Sequence, residues 1–176
     1  MPTRPRTPAR GAKTPAGVKP NPYFEIRRSK IHGLGAFALK KIRKGTRLVE
    51  YVGELIDDEE ASRRYDDAKM KTHHTFLFGV GDEGQAIDAA VGGNEARFIN
   101  HSCEPNCEAI EYDDLTVYIF ALRTIEPGEE LSYDYAFSID YKPTKADLAF
   151  YVCRCGAPTC RGTTLALKKK KSGAKR

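Results

Sequence analysis

The run Arg97-Phe98-Ile99-Asn100-His101-Ser102-Cys103-Glu104-Pro105-Asn106-Cys107 sets a dense group of polar side chains directly behind two apolar ones. Asparagine and histidine offer paired donors and acceptors that can read the edge of a purine. Taken alone, the run reads first as a polar turn holding a hydrogen-bonded histidine. Its neighbours in the chain decide between the two.

On the N-terminal side lies Gly33-Leu34-Gly35, between two candidate strands. Glycines allow positive φ and a close approach of backbone to a ligand, yet this spacing is not that of a dinucleotide fingerprint. On the C-terminal side lies Gly128-Glu129-Glu130-Leu131-Ser132-Tyr133-Asp134-Tyr135-Ala136-Phe137. If it is a strand, rings 133, 135 and 137 share one face, either as a core stripe or as a narrow aromatic channel for a cation or an aliphatic stem. Further on, Cys153-Arg154-Cys155-Gly156-Ala157-Pro158-Thr159-Cys160 packs three cysteines around turn formers. That spacing suits tetrahedral zinc, with a fourth ligand from Cys103 or Cys107. An odd, clustered set of five cysteines without a secretory signal points to thiolates rather than disulfides.

The 176 residues are 40% hydrophobic and 30% charged, a soluble balance for one domain, with a net charge of +5. The charge is uneven. Residues 1–20 and 168–176 carry 11 basic side chains and no acid, which leaves 18 of the 29 basic residues against all 24 acids in residues 21–167. An acidic middle favours encounter with a basic peptide, and cationic arms suit a polyanion such as DNA or simply aid solubility. Residues 1–22, with six prolines, read as a disordered basic arm, and 168–176 as a basic tail. No apolar stretch approaches the ~20 residues needed to span a bilayer, so no membrane segment is expected. Tyr23–Ile26, Ala36–Leu39, Arg47–Val52 and Phe76–Val80 read as strands, and Glu108–Tyr112 with Leu115–Leu122 as a hairpin about Asp113-Asp114. A helix is expected from Asp57 or Asp58 to about Lys71, and a shorter one over Asn94–Ile99.

In this order the four stretches, with Tyr51-Val52-Gly53-Glu54, resemble the SET-domain protein-lysine methyltransferases over about residues 23–165, and the cysteine run resembles their post-SET segment. The resemblance implies a mainly β fold (the β-clip or SET fold): several small sheets, a few short helices and a knot-like C-terminal threading that brings Asn100–Cys103 beside Tyr135. It divides the chain into a SET domain over 23–141 and a post-SET zinc-binding segment over 142–167. It further implies transfer of methyl groups from S-adenosylmethionine, leaving S-adenosylhomocysteine, to a lysine of a basic protein such as a histone or histone-like protein. Gly33, Leu34 and Gly35 would lie along the methionine part of the cofactor, with Phe76 as an aromatic contact and Arg97 supporting the segment. Asn100 and His101 would bind adenine. Tyr135 matches the catalytic tyrosine, Tyr51 would line the lysine channel, and a tyrosine at Tyr133 resembles the choice that limits the product to mono- or dimethyl-lysine. Cys103, Cys153, Cys155 and Cys160 would hold one zinc ion, leaving Cys107 buried. The implied location is intracellular: cytoplasm or nucleoid in a bacterium, nucleus and chromosomes in a eukaryote. The competing expectations are a catalytically silent SET-like module that binds basic tails or chromatin, and a zinc-dependent DNA-binding protein.

Overall fold

The computed structural model describes residues 20–139 and 141–166. Most of the expected N-terminal arm and all of the 168–176 tail lie outside the described residues. Along the chain the elements are β1 (Phe24–Arg28), β2 (Leu34–Ala38), β3 (Arg47–Glu50), β4 (Glu54–Ile56), α1 (Asp58–Arg64), β5 (Leu77–Val80), β6 (Gln85–Asp88), β7 (Asn100–His101), β8 (Cys107–Glu111), β9 (Val117–Ala121), β10 (Ser132–Tyr133) and α2 (Lys145–Phe150).

They form four small sheets: β1-β2, β3-β9-β8, β4-β6-β5 and β10-β7. The first three are antiparallel, while β10 lies parallel to β7, with Ser132 opposite Asn100 and Tyr133 opposite His101. This pairing is the close approach that a knot-like threading requires. A second parallel bridge, Phe137 to Leu165, continues it on the far side. The mainly β architecture of small sheets agrees with the expected fold.

Two apolar clusters hold the sheets together. One joins Phe24, Ile42, Leu48, Ile99, Ile119, Ile125 and Leu131. The other joins Tyr51, Val80, Ile87, Ala96 and Val117. Strand β9 serves both, because Val117, Ile119 and Ala121 alternate inward with at most 1% exposure. Its hairpin with β8 turns at Asp113-Asp114 as expected. Leu115 takes φ +61, which removes it from the strand and delays β9 to Val117.

The expected long helix is instead short. Asp57 caps it, accepting Glu60 N–H, and it stops at Tyr65. Asp66 then caps a separate 3-10 turn over Asp67–Lys69, accepting the Ala68 N–H. A short polar side chain that bonds the following backbone competes with helix continuation. The Asn94–Ile99 helix is likewise a 3-10 turn, Glu95–Phe98, capped by Asn94. The aromatic strand at 133–137 is a strand only through Tyr133, because Ala136 adopts φ +47. The rings still follow one another, with centroids 4.9 Å apart for Tyr133–Tyr135 and 5.4 Å for Tyr135–Phe137.

Candidate active site

The Gly33 loop is held from beneath. Ser29 N–H closes the turn onto the Gly33 carbonyl at 3.0 Å, and Gly33 itself takes φ +44. Gly35 is buried, and a side chain there would collide with the Glu130 carboxylate. That carboxylate accepts the Ser29 hydroxyl at 2.6 Å and the Asn100 amide at 2.8 Å. The same Asn100 amide donates to the Leu34 carbonyl at 2.9 Å and the His32 carbonyl at 3.3 Å. One buried asparagine therefore joins the glycine loop to β7, and Glu130 locks the join.

Asn100, His101, Gly33, Leu34, Phe76 and Arg97 all line one cavity of about 240 Å³. The side chains of Asn100 and His101 are, however, engaged with protein. His101 Nδ1 accepts the Tyr135 N–H at 3.1 Å, and its Nε2 lies 3.5 Å from Cys103 Sγ. Burial lowers the imidazole pKa to about 4, so the ring is neutral. A bare Nδ1 puts its hydrogen on Nε2, aimed at the sulfur. Arg97 donates to the Ala89 carbonyl at 2.9 Å and lies over the Phe98 ring at 4.8 Å. Its Nε is the one buried side-chain nitrogen or oxygen without a partner among the described residues.

A second, larger cleft of about 630 Å³ shares Tyr135 with the first and is walled by Tyr51, Phe78, Tyr133 and Tyr151. Both clefts are lined by Tyr135, Phe137, His73 and Arg97, so they meet at Tyr135. The Tyr135 hydroxyl donates to the Ile99 carbonyl at 3.0 Å, and the Tyr51 hydroxyl to the Phe76 carbonyl at 2.8 Å. Burial raises the pKa of both phenols, and of Tyr133, above the ordinary tyrosine value. They remain protonated donors rather than bases.

The four cysteine sulfurs of Cys103, Cys153, Cys155 and Cys160 converge within 4.8 Å of one another. Cys103 Sγ lies 3.7 Å from Cys153 Sγ and 3.9 Å from Cys160 Sγ. Tetrahedral thiolates at about 2.3 Å from zinc sit about 3.8 Å apart, so the set fits. Each sulfur also receives a main-chain N–H: Arg161 to Cys103, Cys155 to Cys153, Cys103 to Cys155 and Gly162 to Cys160, at 3.4–3.5 Å. Donors of this kind stabilise thiolates over thiols. Cys107 stands apart, 1% exposed in the apolar core, with burial raising its thiol pKa to about 12.

A family model described as the SET domain matches residues 33–136. The chain belongs to the SET-domain family. The histone-lysine N-methyltransferase trr of Drosophila melanogaster is 45% identical over 139 residues, spanning 77% of this chain and 6% of that protein. The histone-lysine N-methyltransferase, H3 lysine-4 specific, of Schizosaccharomyces pombe is 44% identical over 138 residues, spanning 76% of this chain and 14% of that protein. The histone-lysine N-methyltransferase SUV39H2 of Macaca fascicularis is 40% identical over 158 residues, spanning 78% and 37%. The chain thus covers well under half the length of these relatives. Among solved structures, Arabidopsis thaliana SUVH6 in complex with SAM matches with a TM-score of 0.64 at 35% identity, covering 80% of this chain and 32% of that one.

Around the two clefts, several contributors escape sequence reasoning. His73 lines both clefts, and its ring lies 4.7 Å from those of Phe137 and Tyr151. Arg161 grips Asp134 through two 2.6 Å bonds, tying the cysteine segment to the residue before Tyr135. Asn106 donates to the Glu130 carbonyl at 2.8 Å and accepts Ser132 N–H at 2.9 Å, fixing β10 beside β7. No local pattern announces His73 or Arg161, and Asn106 stands in the polar run with nothing to mark its partners, since each acts between segments distant in the chain.

Proposed function

We propose that this chain is an S-adenosylmethionine-dependent protein-lysine N-methyltransferase acting on a histone or other basic protein. In this reading residues 23–141 form the SET domain and 142–167 the zinc-binding post-SET segment. The observation that carries it is the meeting of two clefts at Tyr135, one floored by the glycine loop and the other walled by aromatic rings. The first fits the cofactor: the Gly33-Leu34 backbone lines it, with open space at Gly33 and Gly35 packed behind against Glu130, Phe76 offers an apolar wall, and the Arg97 guanidinium on its lining suits a carboxylate. Because the Asn100 and His101 side chains are engaged, the main chain of this segment is left to meet the adenine edge. Bound there, S-adenosylmethionine supplies a methyl group activated by a sulfonium.

The second cleft receives the lysine. A free lysine has a pKa of about 10.4 and must shed a proton before it can attack. Enclosure among Tyr51, Phe78 and Tyr133 disfavours the cation and lowers that pKa, so the proton is left in water. Because the Tyr135 hydroxyl already donates to Ile99, its oxygen is free to accept an N–H from the neutral amine. This points the nitrogen lone pair along the line joining the two clefts. Such alignment is worth of order 7–11 kcal/mol in the best model systems. The Tyr133 hydroxyl occupies room that a further methyl would need, which limits the product to mono- or dimethyl-lysine. Glu129, Glu130 and Asp134 are held by Arg123, by Ser29 and Asn100, and by Arg161, and serve as structure. For a eukaryotic source the site of action is the nucleus.

Transfer of labelled methyl from S-adenosylmethionine to a histone tail peptide tests the reading, with Tyr135→Phe as control. The variant keeps the fold, losing one hydrogen bond worth about 1 kcal/mol. Its kcat is expected to drop at least ~100-fold, about 2.7 kcal/mol of barrier. A folded, zinc-loaded protein that binds no cofactor would overturn the assignment and leave a silent module.

A further inference from the structure

Five side chains of the described residues line both clefts: His73, Thr75, Arg97, Tyr135 and Phe137. They build the junction at which methyl transfer takes place in the reading above. Arginine stays protonated in proteins, and burial holds the Tyr135 phenol in its protonated form. Threonine and phenylalanine take up no proton near neutral pH. Of these five, His73 alone can accept one.

The setting of His73 suits that task. Its main-chain N–H donates to the Phe150 carbonyl at 2.9 Å, and its ring lies 4.7 Å from those of Phe137 and Tyr151. Neither ring nitrogen bonds to a described residue, and neither is buried without a partner, so both reach open space. Burial of the ring lowers its pKa below the ordinary value of 6.5, Asp67 on the preceding turn opposes this, and His74 beside it adds to it. The Tyr151 phenol next to the ring stays protonated, and Tyr135 and Arg97 share its clefts. The imidazole is therefore neutral at about pH 7, with one nitrogen lone pair free.

A lysine entering from solution can leave its proton in water. A lysine that has just taken a methyl cannot, because transfer to a neutral amine creates an ammonium inside the cleft. Enclosure disfavours that cation, and the Arg97 charge and the sulfonium of the next cofactor disfavour it further. The step from monomethyl to dimethyl product therefore needs a proton acceptor within the site.

We propose that His73 accepts the proton that a monomethyl-lysine ammonium sheds in the cleft between the first and second transfers. The proposal rests on the methyltransferase reading above. An Nζ–H bond breaks, its electron pair stays on Nζ, and an N–H bond forms on the imidazole, which then passes the proton to water. The second transfer forms an Nζ–CH3 bond as the S–CH3 bond of a fresh cofactor breaks, and the electron pair of that bond stays on sulfur.

The experiment uses the purified, zinc-loaded full chain with S-adenosylmethionine and a histone H3 tail peptide. An excess of isotopically heavy peptide is added once the first is bound, so that mass spectrometry reads the dimethyl-to-monomethyl ratio from single encounters. His73→Phe keeps the ring packing against Phe137 and Tyr151 and takes no proton, while His73→Ala leaves a space that free imidazole can fill. In both, the ratio is expected to fall at least ~10-fold at neutral pH. Added imidazole should restore it in His73→Ala and not in His73→Phe. In the parent the ratio should fall as pH drops through the lowered His73 pKa, where the ring becomes protonated and can accept nothing more; the variants should lack that fall. A ratio unchanged in both variants would overturn the inference and leave the methyltransferase reading standing. So would a parent that makes only monomethyl peptide in single encounters, a loss in His73→Ala that imidazole does not repair, or a loss in His73→Ala that His73→Phe does not share, since packing would then be the cause. If the parent methylates no peptide at all, the methyltransferase reading itself falls.

Discussion

The domain matched over residues 33–136 and the segment over 142–166 are held by different forces. The first buries Ile42, Ile99, Ile119, Ile125 and Leu131 at 1% exposure or less, in clusters that join its sheets. The second buries little: α2 has no buried residue, and only Thr163 and Leu165 fall below the surface. It is secured instead by directional bonds. These are the Arg161–Asp134 pair, the Thr159 hydroxyl and N–H on Glu104, and the four converging sulfurs. Apolar burial is roughly additive and tolerant of small shifts, whereas a metal clip is all or none. Yet the second segment supplies Tyr151, Val152, Arg154 and Thr164 to the cleft walls. The molecule thus sets a wall secured by directional bonds against a base secured by apolar burial.

Removing the metal tests that contrast most severely. A strong chelator, or Cys155→Ser, should reduce methyl transfer at least ~100-fold, because structural zinc contributes on the order of 10 kcal/mol to the fold it organises. Circular dichroism should retain most of its β signal. Full activity in demonstrably metal-free protein, or complete loss of the sheets, would erase the distinction between the two regions. Leu131→Ala is the reverse experiment. Leu131 is 0% exposed within the larger cluster. The change should cost about 3 kcal/mol and lower the unfolding midpoint of both regions together. Denaturant melts that move only the cysteine segment would mean the base does not support it.

Part of this division is legible in the chain. The Asn100–Cys107 run, the Glu129–Phe137 run and the three late cysteines stand out because their chemistry is unusual, and the structure gathers them around two adjoining clefts. The supporting frame is harder to see. β7 and β10 are two residues each and pair across some thirty positions, far below the length at which alternation can be recognised. β4 is three residues long and equally mute. The helix expected from Asp57 runs too far because Asp66 reads as a helix residue, whereas it caps the next turn. Helix α2 carries a signal in its Thr144/Asp147 capping box, but its exposed faces have no apolar period to draw attention. The Asp134–Arg161 clamp joins residues 27 apart through tertiary structure alone.

That clamp allows a milder test. Arg161→Ala removes the bidentate bond while leaving the main-chain N–H on Cys103 in place. The side chains are 22% and 37% exposed, so solvent screening trims the loss to about 1–2 kcal/mol. The expected result is cofactor binding about tenfold weaker, since about 1.4 kcal/mol is a factor of ten. Zinc content and core stability should be nearly unchanged. An unaltered cofactor affinity would mean the two regions touch at Tyr135 without energetic connection.

The smallest perturbation is one oxygen inside the base. Tyr133 is 7% exposed, and its ring lies 4.9 Å from Tyr135 and 6.0 Å from Phe78. Tyr133→Phe keeps those ring contacts, so stability should shift by less than about 1 kcal/mol and cofactor affinity should hold. What changes is volume at the lysine nitrogen. Without the hydroxyl, a nitrogen already bearing methyl groups can turn its lone pair toward the donor. Mass spectrometry of a histone peptide should then move from mono- and dimethyl toward trimethyl product. A distribution unchanged from the parent would shift the limit to Tyr51, which lines the same cleft with its hydroxyl bonded to the Phe76 carbonyl at 2.8 Å. In either outcome the wall built by the cysteine segment is untouched, so the experiment reads only the part of the proposed lysine cleft that the apolar base builds.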